Sequence, residues 1–379
     1  MKTYPAHPRP RSQRGNTILL FLLVAGVGLM SLILSKLNTP NNQTIREQQG
    51  TQPALNLAKT ALMGWALGRD DNLPVPPGLL PYPDRNADGN YDGFADCPSG
   101  AAPLTNNLFL GKLAWQGEIG PCESRDAGMP RQDSLSGELR DGAGERLWYV
   151  ASQNVLDDAA GGSYTNLPGT AGNRYITPAN LKTPPLHPWL TVCNANGQVL
   201  SNQVAFIVIA PGEALTGQVR NGAAPAPANY LDRYTISGGT PPCNGVINHA
   251  VNNLVFVNAD PTNSFNDRIA YVTRDQFIDQ LAQRLTNGIR QKVDQYRATH
   301  GSYPSNLSIA VIGSWLVWDD QSDSNGLYSQ IPTTPPPSYY QVTGPNIATL
   351  RMQGCNSIFS LTWNAASNSS TVSRAPLNC

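Results

Sequence analysis

Charge is scarce in this sequence. Only 14% of its 379 residues are Asp, Glu, Lys or Arg, against about 25% in ordinary soluble domains. Neither sign dominates, with 26 basic and 26 acidic side chains. That balance argues against a nucleic-acid partner, because phosphate recognition needs a concentrated basic surface. Histidine is nearly missing as well. His7 lies close to the N-terminus, which leaves His187, His249 and His300. There is no HExxH, no GxSxG and no phosphate-binding loop, and no CxxC pair that would suggest zinc. Asp319, Asp320 and Asp323, near Trp315 and Trp318, form a carboxylate cluster that a hydrolase could use. A solvated loop is the simpler reading of them. The expectation is a protein that is not an enzyme.

The lack of charge is complete from Gly15 to Ser35. At about 1.5 Å per residue this apolar run covers roughly 31 Å, the thickness of one hydrocarbon core. Lys2, Arg9, Arg11 and Arg14 precede it, with no acid among them, so the N-terminus is expected on the cytoplasmic side. A cleaved secretory signal would have a shorter run and a small-x-small site. Ser35-Lys36-Leu37-Asn38 offers none. The sequence therefore predicts a retained transmembrane helix over 16–37 behind a basic leader over 1–15, with everything after it exported.

What the chain does have in quantity is 34 Gly and 32 Pro, the composition of a loop-rich head. Pro40, Gly50 and Pro53 are expected to break any long helix after the anchor. A helix over 54–67 would follow, with Ala54, Leu57, Ala58, Ala61, Leu62 and Trp65 on one stripe. Short strands are predicted at 147–151, 190–193, 204–210, 253–258 and 268–273. Thr273 and Gln276 have capping-box spacing. Ile278, Leu281, Leu285, Ile289, Val293 and Tyr296 then form the apolar stripe of a helix that Gly301 can end. Strands at 348–352, 357–363 and 371–373 close the chain. Leu80-Pro81-Tyr82-Pro83 and Gly301-Ser302-Tyr303-Pro304 each follow a helix; chance likeness of two helix exits is the simpler reading, and an internal duplication the alternative.

The sharpest motif is the run from Asp84 to Asp96, DRNADGNYDGFAD. Oxygen-bearing side chains at alternate positions followed by Gly suit a Ca²⁺ loop, because the ion takes six to eight hard oxygens. Asp84, Asn86 and Asp88 match the first three ligand positions, Asn90 offers a carbonyl, and Asp92 follows. Ala95 stands where a Glu is usual, so Asp96 would have to substitute. The alternative is an acidic turn held by Asx hydrogen bonds. All six cysteines, Cys97, Cys122, Cys193, Cys243, Cys355 and Cys379, come after the apolar run. In an oxidising compartment they are expected as disulfides. Many connectivities are open, and pairing of sequence neighbours is the expected one: Cys97–Cys122, Cys193–Cys243 and Cys355–Cys379.

The segment Gln13-Arg14-Gly15-Asn16-Thr17-Ile18-Leu19-Leu20 resembles the prepilin signal of type IV pilins and type II secretion pseudopilins. The resemblance implies cleavage by prepilin peptidase between Gly15 and Asn16, followed by methylation of the Asn16 amine. The family usually has Phe or Met where Asn16 stands, and Glu where Leu20 stands. The missing Glu is a feature of the pseudopilin tip subunit. The block from Leu139 to Ser152, together with Leu80-Pro81-Tyr82-Pro83-Asp84 and Asn266-Asp267-Arg268, resembles large pilin-like proteins of Gram-negative bacteria. The last disulfide resembles the C-terminal loop of many pilins. Together these imply an α+β, pilin-like fold: an N-terminal transmembrane helix, a spine extension over 38–67, and a loop-rich head of antiparallel sheet packed on amphipathic helices. The head would divide into 68–273 and 274–379. The implied role is a structural minor or tip subunit in the inner membrane, partnered by other pilin or pseudopilin subunits. An anchored adhesin or ligand-binding protein is the alternative, and an anchored hydrolase a third.

Overall fold

The structure is a computed structural model that describes residues 40–68, 78–85, 90–96, 109–118, 137–156, 181, 187–221, 226–251, 254–305, 340–351, 355 and 357–376. Two units are distinguished, Met1–Gly50 and Thr51–Cys379. The first long helix, α1, spans Pro40–Gly68. It runs through Gly50 and Pro53, where an interruption was expected. Proline removes one helical hydrogen bond, but Gln49 and Pro53 are both exposed, so water can satisfy the carbonyl that is freed. The buried stripe is also turned from the expected one. Leu55, Ala58, Leu62 and Ala66 are fully buried, whereas Leu57 is 51% exposed. Apolar residues lie on most sides of its 54–67 half, so two neighbouring stripes satisfy the helical period equally well there.

The largest sheet is built around one long strand. Strands β1 (Phe94–Ala95), β2 (Leu110–Lys112), β3 (Gly117–Glu118), β4 (Trp148–Ala151), β5 (Leu190–Asn194) and β6 (Val199–Ala210) come first. They are followed by β7 (Arg233–Ile236), β8 (Gly245–Asn248), β9 (Val255–Asn258) and β10 (Arg268–Thr273). Strand β6 pairs with β4, β5 and β10. Its Val204–Ala210 half is fully buried, as a continuous β-branched and aromatic run covered on both faces should be. Strands β5 and β9 run parallel, while β7 and β8 form a separate antiparallel hairpin.

The second long helix, α2, spans Arg274–His300. Thr273 caps it, accepting from the Gln276 amide, and the Gln276 side chain returns the bond, so both halves of the capping box are present. Ile278, Leu281, Leu285, Ile289 and Val293 are fully buried. Gly301 ends the helix at φ 75°, a left-handed conformation in which glycine carries no Cβ penalty. Helix α2 contacts β6 and β10 on the large sheet and β14 (Ser369–Ala375) on the C-terminal one. That C-terminal sheet is an antiparallel meander of β11 (Tyr340–Gly344), β12 (Ile347–Arg351), β13 (Ile358–Asn364) and β14. One hydrophobic core joins the buried residues of α1, the large sheet, α2 and this meander. Arg284 of α2 donates to the Leu67 carbonyl at 3.0 Å, satisfying one of the open carbonyls at the end of α1. Asp294 accepts from the Ser370 amide at 2.9 Å, which occupies part of a sheet edge that would otherwise invite pairing.

The expected fold class is therefore corrected. The described residues are a mixed α/β arrangement, mostly strand, with two long helices. The largest sheet is mixed rather than antiparallel, because β5 and β9 are parallel. Among the described residues no helix is long and apolar enough to cross a membrane. Residues 16–37, where a transmembrane helix was expected, lie outside the described residues. Strand order depends on contacts far apart in sequence, and local hydrophobic pattern does not encode it.

Candidate functional site

The acidic loop leaves the core at Asp84, which is paired to Lys112 of β2 by two backbone hydrogen bonds of 3.0 and 2.7 Å. The Asp84 carboxylate is buried. Its Oδ2 accepts from the Gly93 amide at 2.8 Å and from Arg146 Nη2 at 2.8 Å. Its Oδ1 is buried without a partner. Burial pushes the carboxyl up to about 6, and this outweighs the opposing pull of Arg146 and the Gly93 amide. Asp92 Oδ1 accepts from the Phe94 amide at 2.9 Å, an Asx turn. Asp96 Oδ2 accepts from the Arg85 amide at 2.6 Å. Asn90 is exposed. Asn86 and Asp88 lie outside the described residues. Gly93 has φ 99°, and a Cβ there would come within 2.4 Å of the Trp115 indole nitrogen, so the position requires glycine. Among the described residues no group of three or more His, Cys, Asp or Glu side chains is placed to hold a metal.

The loop abuts an aromatic wall. Lys112 Nζ lies 4.6 Å from the ring centres of both Tyr91 and Tyr230, in cation–π contact with each. Trp148 packs on both tyrosines, with centroids 5.7 and 5.4 Å away. Burial lowers the Lys112 ammonium to about 8. Trp148 and Tyr149 are fully buried, and Tyr149 donates its hydroxyl to the Pro81 carbonyl at 3.3 Å.

Arg140, Asp141, Glu145 and Arg146 organise the turn before β4. Arg146 bonds Asp84, Arg140 pairs with Glu138, and Glu145 lies 3.3 Å from Arg220. Asp141 is buried and accepts from three backbone amides: Ala143 at 3.0 Å, Glu145 at 2.9 Å and Gly212 at 2.9 Å. Burial nevertheless raises its pKa.

A second polar cluster has no linear signature. His249, Asp232 and Asp267 converge beneath the β7–β8 hairpin. His249 Nδ1 lies 2.9 Å from Asp267 Oδ2, and His249 Nε2 accepts from the Val257 amide at 2.9 Å. The second bond fixes the proton on Nδ1. Asp267 Oδ2 also accepts from the Asp232 amide at 2.9 Å. Asp232 in turn accepts from Gln218 Nε2 at 2.8 Å and the Asn266 amide at 2.7 Å. Burial first, and then the Asp267 charge, raise Asp232 to about 6. Both His249 and Asp267 side chains have 0% exposure. With both ring nitrogens hydrogen-bonded within the protein and no exposed surface, this imidazole ties the hairpin to the core.

Cys193 and Cys243 form a disulfide with Cα atoms 5.7 Å apart, which staples β5 to the turn between β7 and β8. Cys355 is also disulfide-bonded. Among the described residues no cysteine is free. Cys97, Cys122, Cys379, Gly15, Asn16 and the Asp319–Asp320–Asp323 cluster lie outside the described residues. His300 is exposed at the end of α2 and stacks on Tyr296 at 3.9 Å. A groove of about 400 Å³ between α1 and the start of α2 is lined in part by Lys59, Met63, Leu67, Val272, Gln276 and Gln280, and among the described residues its lining contains no carboxylate or imidazole.

No protein-family model matches the chain, and no curated protein or solved structure matches it.

Proposed function

We propose that this chain is a structural subunit, of the minor or tip kind, in a type IV pilus or type II secretion pseudopilus. The uncharged run from Gly15 to Ser35 holds it at the inner membrane, and the head is exported. The observation that carries this reading is the succession of elements. A basic leader with a Gly15-Asn16 junction precedes the apolar run. Helix α1 then begins at Pro40 and ends at Gly68 with its buried stripe in the core of the head. The Cys193–Cys243 disulfide suits an oxidising compartment. The buried polar groups also favour a structural role. Asp84, Asp141, Asp232, His249 and Asp267 hold backbone amides or one another, and none presents a nucleophile beside an exposed base. Leu20, standing where the family has Glu, suits a subunit with no neighbour's amine to neutralise, as an unpaired acid in that run would be costly.

The test is chemical cross-linking of the chain in membranes of its host, followed by mass spectrometry of its partners. The expected result is linkage to other pilin or pseudopilin subunits. Recovery of the chain uncrosslinked in cells that are assembling such filaments would favour an anchored ligand-binding protein instead.

A further inference from the structure

The groove between α1 and the start of α2 carries a one-sided set of polar groups over an apolar floor. Met63 of α1 and Val272 of β10 are buried at its base, and Leu67 is half-buried beside them. Lys59, Gln276 and Gln280 line it above. Among the described residues the side chains of Lys59 and Gln280 have no hydrogen-bond or ion-pair partner. The Gln276 side chain uses its oxygen to accept from the Thr273 amide at 3.0 Å, which leaves its NH₂ group to donate outward. The acids on this part of α2 are engaged elsewhere, Asp275 with Arg274 and Asp279 with Arg374. The groove therefore offers one ammonium and two amide donors, and only the Gln280 carbonyl accepts.

Gly64 keeps the groove open. It lies inside α1 and is exposed, and a Cβ built on it would meet nothing within 4 Å. Glycine weakens a helix interior relative to alanine. Here neither a left-handed φ nor a close neighbour among the described residues calls for one. The volume of about 400 Å³ is that of a small-molecule site. Two turns of a partner helix, about 11 Å long and 10 Å across, would need roughly 850 Å³.

We propose that this groove binds a small carboxylate with an apolar body. The carboxylate pairs with Lys59 and the Gln276 amide, and the body lies beside Gly64 on Met63, Leu67 and Val272. One ammonium balances one carboxylate charge, and a cationic ligand would meet Lys59 with no acid in the lining to offset it. The methionine adapts to an aliphatic or an aromatic body. None of this depends on the role proposed above. The test is titration calorimetry of the full chain at neutral pH with hydrocinnamate and with the uncharged hydrocinnamamide. The carboxylate should bind with a Kd of about 1 mM or tighter, and the amide at least about fivefold more weakly. Lys59→Gln should weaken the carboxylate by about the same factor and leave the amide unchanged. Gly64→Leu, whose side chain grows into open space, should abolish binding of both ligands with the unfolding midpoint within about 2 °C of wild type. Equal affinity for the two ligands, wild-type affinity for the carboxylate in either variant, or no heat of binding up to about 10 mM would overturn the proposal. If Gly64→Leu unfolds earlier than that, the two ligands compared on wild type and on Lys59→Gln decide.

Discussion

The buried carboxylates should make the head more stable in mild acid than at neutral pH. Asp84 shows the size of the effect. Its carboxyl ionises at about 6 in the folded chain, against a reference of 3.8. The folded state therefore holds the proton more tightly than the unfolded state does. That preference is fully present below the unfolded value and is lost as pH rises through the folded one. Integrating the proton difference from pH 5 to pH 7 gives a loss of about 1.3 kcal/mol from Asp84 alone. Asp232 acts in the same direction with a similar folded value, and burial raises Asp141 and Asp267 as well. Urea unfolding of the full chain at pH 5, 6, 7 and 8 measures the sum. The expected result is a steady fall in stability across this range. Asp84→Asn should flatten the fall by about 1 kcal/mol, because the amide does not titrate. A stability that stays level or climbs from pH 5 to pH 7, or an unchanged slope in Asp84→Asn, would refute the reasoning.

Four further outcomes are expected. Thr273→Ala, which removes the side chain that caps α2, should cost about 1 kcal/mol in chemical unfolding. Reducing the Cys193–Cys243 bridge, which spans a separation of 50 residues, should lower stability by about 4 kcal/mol in the chain-entropy account, read by unfolding the Cys193→Ser/Cys243→Ser pair. Gly93→Ala should lower the unfolding midpoint and shift Trp115 fluorescence, because its Cβ would meet the indole ring. Leu281→Ala, at a fully buried position of α2, should cost roughly 2–5 kcal/mol, measured by the same urea titration.

The local signals of α2 are all written in the chain. Its cap, its apolar stripe and its terminal glycine lie within one continuous stretch, and β10 before it has bounds that hydrophobic pattern alone suggests. The α1 stripe is less legible, because Leu55, Leu57, Leu62 and Met63 place apolar groups on adjacent faces and only packing chooses between them. Pro53 reads as a break, yet its exposed side of the helix tolerates it. The parallel register of β5 with β9 has no local signature. The site shows the same division. The acidic loop is visible as a motif, but its guanidinium comes from a residue 62 positions beyond Asp84. Asp232, His249 and Asp267 are scattered through a region of loops and short strands. Only their burial in the fold distinguishes them from other polar residues there.

The central claim is a filament subunit processed at a prepilin-type junction. Intact-mass spectrometry of the chain purified from its own host, where a prepilin peptidase is present, tests this most directly. The account predicts a mature N-terminus at Asn16 carrying one added methyl group. A chain that begins at Met1 in that host would contradict it.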